Sequence, residues 1–480
     1  MKHLFSLLLV LLSWTNVLAH NDITLREALE VLAQNNHAIK SGEYGVDVAF
    51  EEMRAARGLR LFNIDIVGGF TLLQKSVDIE FGGTKGVVTE SLDGLINTGV
   101  TNGILTNDVA KFLRQSLSPL TQLDWRYTLQ RRAVGGVGAL VTLPIYAGGR
   151  INSTNRAAKI NVEMATSALE GVENGLVTQL VESYYGLILA KEVVSIREDV
   201  VRAVKLHLAD AVAMEEEGVM AHSAVLYMQY RLSEAERDLA DALSKAKVAE
   251  AALSTVVGMG QSLNPISPLF VCGTIDSLDY YIDMANQLNP LLNEARLVGR
   301  LSEEGKNMAQ ADLLPEVVAY GAGAIYNYQL SEMVPRWSVG VSVNFTLFDG
   351  LGKERRYMAA KHEMKQMAEV VMSAEQEVRL LVEREYYSVI SSMQGIVASE
   401  RSIAFAESLY TTAKDGFSEG VVSSSELIDA CVELASSRVE YIDSVYQHCL
   451  SLARLLEVSG LSSDYLNYAN SGQVVDKFFE

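Results

Sequence analysis

The second half of this chain repeats the first at a fixed offset. Leu143-Pro-Ile-Tyr-Ala-Gly148 aligns with Phe345-Thr-Leu-Phe-Asp-Gly350, a spacing of 202. Tyr184-Tyr185 meets Tyr386-Tyr387, Glu217-Gly218-Val219 meets Glu419-Gly420-Val421, and Gly258 meets Gly460 at the same spacing. About 115 residues are duplicated without a gap. Upstream, Leu25, Leu29 and Asn36 match Leu278, Ile282 and Asn289 at 253, as Ala56 and Leu61 match Ala309 and Leu314. The two offsets differ by 51, so the first half holds about 51 extra residues. They fall in a Gly/Thr/Asn-rich stretch near 73–131 that reads as a long loop; its counterpart, Gln329–Arg336, is short.

Each repeat reads as two strands followed by a long helical hairpin. Val339, Val341, Val343, Phe345 and Leu347 alternate with Gly340, Ser342, Asn344 and Thr346. Their duplicates Val137, Ala139, Val141, Leu143 and Ile145 alternate likewise, which is strand periodicity. The incoming strands, near Ile64–Phe70 and Pro315–Tyr328, leave their facing open. Tyr146 and Phe348 at one level, and Tyr328 and Trp337 at the other, have the spacing of membrane-interface aromatics. Ordinary strand aromatics would look the same.

Only seven prolines occur, none between Pro144 and Pro265 and none after Pro335. Long helices fit those gaps. Arg150–Met214 would make a rod of roughly 100 Å at ~1.5 Å per residue, broken at Gly218, with Val219–Val257 returning. Lys353–Lys414 and Val421–Val458 repeat that plan. Four strands cannot close a barrel. An open sheet edge in lipid leaves backbone groups unpaired at several kcal/mol each, so a membrane-spanning sheet of this size requires oligomerisation.

Residues 1–19 read as a secretory signal peptide, with an apolar run from Leu4 to Leu12 and Val17-Leu18-Ala19 at the cleavage site. The net charge of −20 argues against nucleic acid. Three cysteines, Cys272, Cys431 and Cys449, do not form a disulfide framework and read as buried apolar residues. The seven histidines form no His-Glu-x-x-His motif, and the chain has neither a Gly-x-Ser-x-Gly elbow nor a P-loop. Neither catalysis nor a metal or cofactor is expected.

Ile23-Thr-Leu-Arg-Glu-Ala-Leu29, the Pro144-Ile-Tyr-Ala-Gly-Gly149 and Leu347-Phe-Asp-Gly350 turns and the two Glu-Gly-Val tips, in this order and duplicated, resemble the TolC-like outer-membrane efflux factors. The resemblance implies an α+β membrane protein: a homotrimer with a 12-stranded outer-membrane β-barrel, four strands per chain, above a long α-helical barrel in the periplasm of a Gram-negative bacterium. It implies the exit duct of a tripartite efflux pump or type I secretion system, joined by a periplasmic adaptor to an inner-membrane pump. Gly218, Val219, Gly420 and Val421 then correspond to the adaptor-docking tips. Phe417, Glu426 and Asp429 correspond to the periplasmic aperture, where Val422 replaces the family's basic residue. A structural or adhesive periplasmic coiled-coil protein is the alternative reading; an adaptor, with its single hairpin, fits less well.

The expected segments after the signal peptide are 20–60 (helices), 61–147 (β-hairpin with an extracellular loop over 74–130), and 148–258 (helical hairpin, tip 217–219). The linker 259–277 leads to 278–311 (one helix), 312–348 (β-hairpin), 349–460 (helical hairpin, tip 419–421) and a tail, 461–480.

Overall fold

The computed structural model describes residues 22–260 and 262–474. The expected signal peptide lies outside the described residues. In chain order, β1 (Asp22–Ile23), α1 (Leu25–Asn35) and α2 (His37–Gly58) precede β2 (Asn63–Leu72), β3 (Val77–Glu80), α3 (Gly82–Thr101), α4 (Asn107–Gln122), β4 (Arg126–Gln130) and β5 (Ala133–Ala147). Helices α5 (Arg150–Glu216) and α6 (His222–Val257) form the first long hairpin, followed by β6 (Asn264–Pro265) and β7 (Phe270–Val271). The second half runs α7 (Leu278–Leu288), α8 (Pro290–Ala311), β8 (Glu316–Tyr328), β9 (Trp337–Asn344), α9 (Gly352–Ser418) and α10 (Ser424–Ser459). A 3-10 turn (Ser462–Asp464), α11 (Tyr465–Ser471) and β10 (Gln473–Val474) close it.

The duplication sets the helix boundaries to the residue. Helices α5 and α6 recur as α9 and α10 at 202, and α1 and α2 as α7 and α8 at 253. Hydrogen bonds are copied too. Asn36 Nδ2 donates to Val256 O at 3.3 Å and Asn289 Nδ2 to Val458 O at 2.7 Å. Each asparagine satisfies a carbonyl that its neighbouring helix end leaves open. Gly258 and Gly460 end α6 and α10 in the left-handed conformation (φ +75° and +74°). The helix expected over 278–311 is two, because Asn289 closes α7 and Pro290 opens α8, where a missing N–H costs nothing.

The chain divides into a helical unit (22–54, 156–306, 358–474) and a sheet unit (55–155, 307–357). In the helical unit, Leu180, Val181, Tyr184 and Leu187 of α5 are buried, as are Met228 and Leu253 of α6 and Val382 and Val389 of α9. So are Ile442, Val445, Leu452 and Leu456 of α10. Asp22–Ile23 pairs in parallel with Asn264–Pro265, and Gln473–Val474 antiparallel with Phe270–Val271. The buried Tyr184 hydroxyl locks this seam, donating to Ile23 O (2.7 Å) and accepting from Ile266 N (3.1 Å) and Ser267 N (2.8 Å).

The sheet unit carries an antiparallel sheet in the order β2-β5-β8-β9. Its register resolves the facing of the incoming strands. Ile64, Ile66 and Phe70 sit opposite Val141, Ala139 and Gly135, and Val141 and Leu143 opposite Gly321 and Ala319. Ala319 and Gly321 in turn pair with Val341 and Val339. One face is therefore continuously apolar across four strands, and its Ile64, Ile66, Val141, Val339 and Val341 are exposed in the single chain. The opposite face carries Asp65, Thr142, Tyr320, Ser338, Ser342 and Asn344. The glycines let aromatic rings lie flat across neighbouring strands. A Cβ on Gly340 would meet the Tyr320 hydroxyl at 2.9 Å and its ring at 3.0 Å, and one on Gly135 the Phe70 ring at 2.9 Å.

Two further expectations are corrected. Phe345 and Leu347 lie outside a strand, since β9 ends at Asn344 opposite Glu316, the first residue of β8, beyond which it has no partner. Residues 74–130 are not an irregular loop but a folded insertion: the β3–β4 hairpin carries α3 and α4. The glycines that suggested a loop occupy helical positions in α3, and the amphipathic α4 buries Ala110.

Candidate functional site

The two hairpin tips are built alike. Gly218 and Gly420 both have φ of +74°. Gly218 N donates to Glu215 O (2.9 Å), while Val219 N and Met220 N share Met214 O (2.8 and 3.1 Å). At the second tip Gly420 N donates to Phe417 O (3.0 Å), and Val421 N and Val422 N share Gly416 O (2.9 and 3.1 Å). This double return onto one carbonyl closes a helix through a left-handed residue. A Cβ on either tip glycine would meet nothing within 4 Å, so the backbone conformation, not crowding, requires glycine. Val219 and Val421 project outward, 72% and 79% exposed. The return helices start at His222 and Ser424, three residues beyond the expected Val219 and Val421.

Contacts between the hairpins lie just behind the tips. Arg231 of α6 reaches Asp429 of α10 at 3.1 Å and is steadied by Glu234 at 3.0 Å. His207 of α5 meets the Tyr410 hydroxyl of α9 through Nε2 at 3.1 Å and stacks edge-on against Phe417. Phe417 is 3% exposed, so its ring belongs to the tip interior of the single chain. Burial holds the His207 pKa below its ordinary value; Asp210 opposes this and Lys414 adds to it. Glu426 is engaged locally. It closes a capping box with Ser423, accepting from Ser423 N at 3.0 Å while its own N–H donates to Ser423 Oγ at 3.3 Å. The backbone bond from Ser423, then its hydroxyl, hold the exposed Glu426 carboxyl below the usual range. Of the acids expected at the aperture, one caps a helix and the other is ion-paired. Arg231, His207 and Tyr410 carried no sequence signal: each is an isolated polar residue, and only packing brings it to a partner.

A second polar cluster ties the linker to α10. His448 Nε2 accepts from Cys272 N at 3.1 Å and touches Cys272 Sγ at 3.0 Å. Its Nδ1 faces Ser392 Oγ at 3.0 Å, and Ser392 donates onward to Val389 O at 2.7 Å. This network assigns the ring proton to Nδ1. Burial lowers the His448 pKa to about 4 and raises the Cys272 thiol to about 11 and Cys449 to about 12. A neutral imidazole beside a protonated, enclosed thiol is a structural joint and not a nucleophile with its base.

On the sheet, Tyr146, Phe348, Tyr328 and Trp337 are all exposed. Tyr146 lies opposite Val317 near the start of β8, and Phe348 follows the end of β9 on that side. Trp337 pairs with Gly323, five residues short of Tyr328, and so lies roughly 16 Å from its level at ~3.3 Å per residue. The ring beside Tyr328 is Phe70, centroids 6.5 Å apart. No described helix is long and apolar enough to cross a membrane.

Residues 108–259 and 281–461 match the outer membrane efflux protein family. No curated protein sequence matches. Among solved structures, the Campylobacter jejuni CmeC outer membrane channel aligns at a TM-score of 0.69 and 12% identity, covering 95% of this chain and 90% of that one. The Vibrio cholerae outer membrane protein VceC aligns at 0.68 and 13%, covering 91% and 96%. The open state of the Neisseria gonorrhoeae MtrE outer membrane channel aligns at 0.68 and 12%, covering 91% and 89%. With a family match over more than half its length and the long-helix fold of these channels, the chain belongs to the outer membrane efflux protein family.

Proposed function

We propose that three copies of the chain assemble into the exit duct of a tripartite efflux pump or type I secretion system in a Gram-negative outer membrane. The observation that carries this reading is the sheet. Its apolar face is continuous and largely exposed, its other face mixes polar with small residues, and among the described residues its edge strands β2 and β9 have no partner on their outer side. Lipid would cover the first, water the second, and a neighbouring chain the edges. Three chains of four strands give twelve. Strands β5 and β8, at 15 and 13 residues, exceed the about 9–11 a tilted crossing requires. The family match and the relatives described as outer membrane channels support the same reading.

In the helical unit, Gly218-Val219 and Gly420-Val421 are the docking points for a periplasmic adaptor, whose inner-membrane pump supplies the cargo. The bare glycine surface and exposed valine at each turn suit close approach by a partner helix. The Arg231–Asp429 pair and the His207–Tyr410 contact hold the two hairpins together behind the docking points, and Phe417 supports them from within. When the Arg231 pair parts, Asp429 is freed and joins Glu426, still capped by Ser423, in a ring of carboxylates at the aperture. Purification in mild detergent tests the core of the proposal: a trimer that forms pores in planar bilayers is expected. A monomer without conductance overturns it.

A further inference from the structure

The folded insertion between β2 and β5 has no counterpart in the second half, where residues 329–336 suffice. It is held rigidly. Leu73 N donates to Arg132 O at 2.7 Å and Arg132 Nε returns to Leu73 O at 3.1 Å. Gln130 clamps the short second loop through both ends of its amide, donating to Gln329 O at 2.9 Å and accepting from Ser331 N at 3.0 Å. Phe81 N reaches Trp125 O at 2.9 Å, and Lys85 Nζ reaches Leu123 O at 3.0 Å, closing the base of the helix pair.

Yet it barely has a core. Ile96 and Ala110 are its buried apolar residues, while Val87 and Leu95 of α3, Ile104 at the turn (76% exposed) and Phe112 of α4 (68% exposed) face outward. A helix pair with this much bare apolar surface requires a cover.

We propose that the cover is the same insertion of the neighbouring copies, so that the insertions pack on one another as a cap over the outer mouth of the oligomer. Two observations select this occupant. The insertion springs from the end of β2, the sheet edge at which the next copy would pair, so it continues that contact past the strands. Its charge also permits close approach: residues 73–132 hold seven basic and six acidic side chains, a net charge of +1, in a chain of −20. Copies that repel elsewhere meet here without penalty, and a balanced surface gives anionic headgroups little to hold.

The inference rests on the oligomeric reading and is tested separately from it. Cys272, Cys431 and Cys449 are all buried, so the native thiols stay silent. Ile66→Cys with Val341→Cys, both on the apolar face, reports pairing of β2 with a neighbour's β9. Ile104→Cys and Phe112→Cys report the cap. Mild oxidation of membranes is expected to convert up to two of every three Ile104→Cys or Phe112→Cys chains to disulfide-linked dimers on non-reducing gels, one thiol of each trimer staying unpaired. Edge cross-links without any from the insertion overturn the cap and leave the oligomer standing; absence of both removes the two together. Replacing residues 82–122 by a short Gly/Ser linker is expected to raise single-channel conductance several-fold while trimers persist. Unchanged conductance overturns the cap.

Discussion

The two halves share a backbone and differ in what their side chains do with it. Helix ends, tip hydrogen bonds and helix-closing asparagines coincide at the two offsets. The contacts that join one hairpin to the other do not. The positions matching Arg231, Asp429, His207 and Tyr410 are Glu433, Tyr227, Leu409 and Leu208. Tyr184-Tyr185 is buried at the seam with both rings packed edge-on, whereas its copy Tyr386-Tyr387 keeps the ring geometry with Tyr387 exposed. Duplication preserves what the backbone requires of each hairpin alone. Contacts between hairpins need unlike partners, so the copies diverge there.

The largest effect is expected at the tips. Gly420→Trp puts a bulky side chain on a left-handed residue at the proposed docking point. Efflux measured by drug sensitivity should fall to the level of a gene deletion, with trimers still formed. Retained efflux would remove the docking role of this tip, and Gly218→Trp measures whether the first tip carries an equal share.

Next come the helix-closing glycines. Alanine costs roughly 1–2 kcal/mol at either left-handed position. At Gly460 the added Cβ would also lie 2.6 Å from Leu288 Cβ and 2.7 Å from its carbonyl, whereas at Gly258 the nearest atom is 3.5 Å away. Gly460→Ala should therefore lower the melting temperature by clearly more than Gly258→Ala. Equal shifts would mean the second seam relaxes freely.

His448 is present in one half only; its matching position is Ala246. Its folded pKa is lowered to about 4 against about 6.5 unfolded, so the unfolded chain takes up the proton first. Stability falls as pH drops from about 6.5 to about 4, by at most about 3 kcal/mol. Melting followed over that window should show the loss, and His448→Gln should flatten it.

The smallest effect is on ion preference. Glu426→Gln with Asp429→Asn should weaken cation selectivity in single-channel records. Arg231→Ala, which frees Asp429, should strengthen it. Identical reversal potentials in all three would separate these acids from the conducting path.

The tips were legible because a helix reversal leaves a glycine at a defined place. The insertion was misread because Gly and Thr in α3 are turn formers locally, and only packing against α4 keeps them helical. Phe417 is placed by the sequence only as the aromatic before the second tip, and its burial against His207 depends on a neighbour 210 residues earlier.

The sequence alone determined the duplicated plan, the long helices, the strand alternation and the position of both tips, since these follow from periodicity and backbone conformation within a few residues. Tertiary structure decided the facing of β2 and β8, the fold of residues 74–130, the engagement of Glu426 and Asp429, and the joint at His448. Those depend on which distant side chains meet, and a single polar residue bears no mark of its partner until the chain is folded.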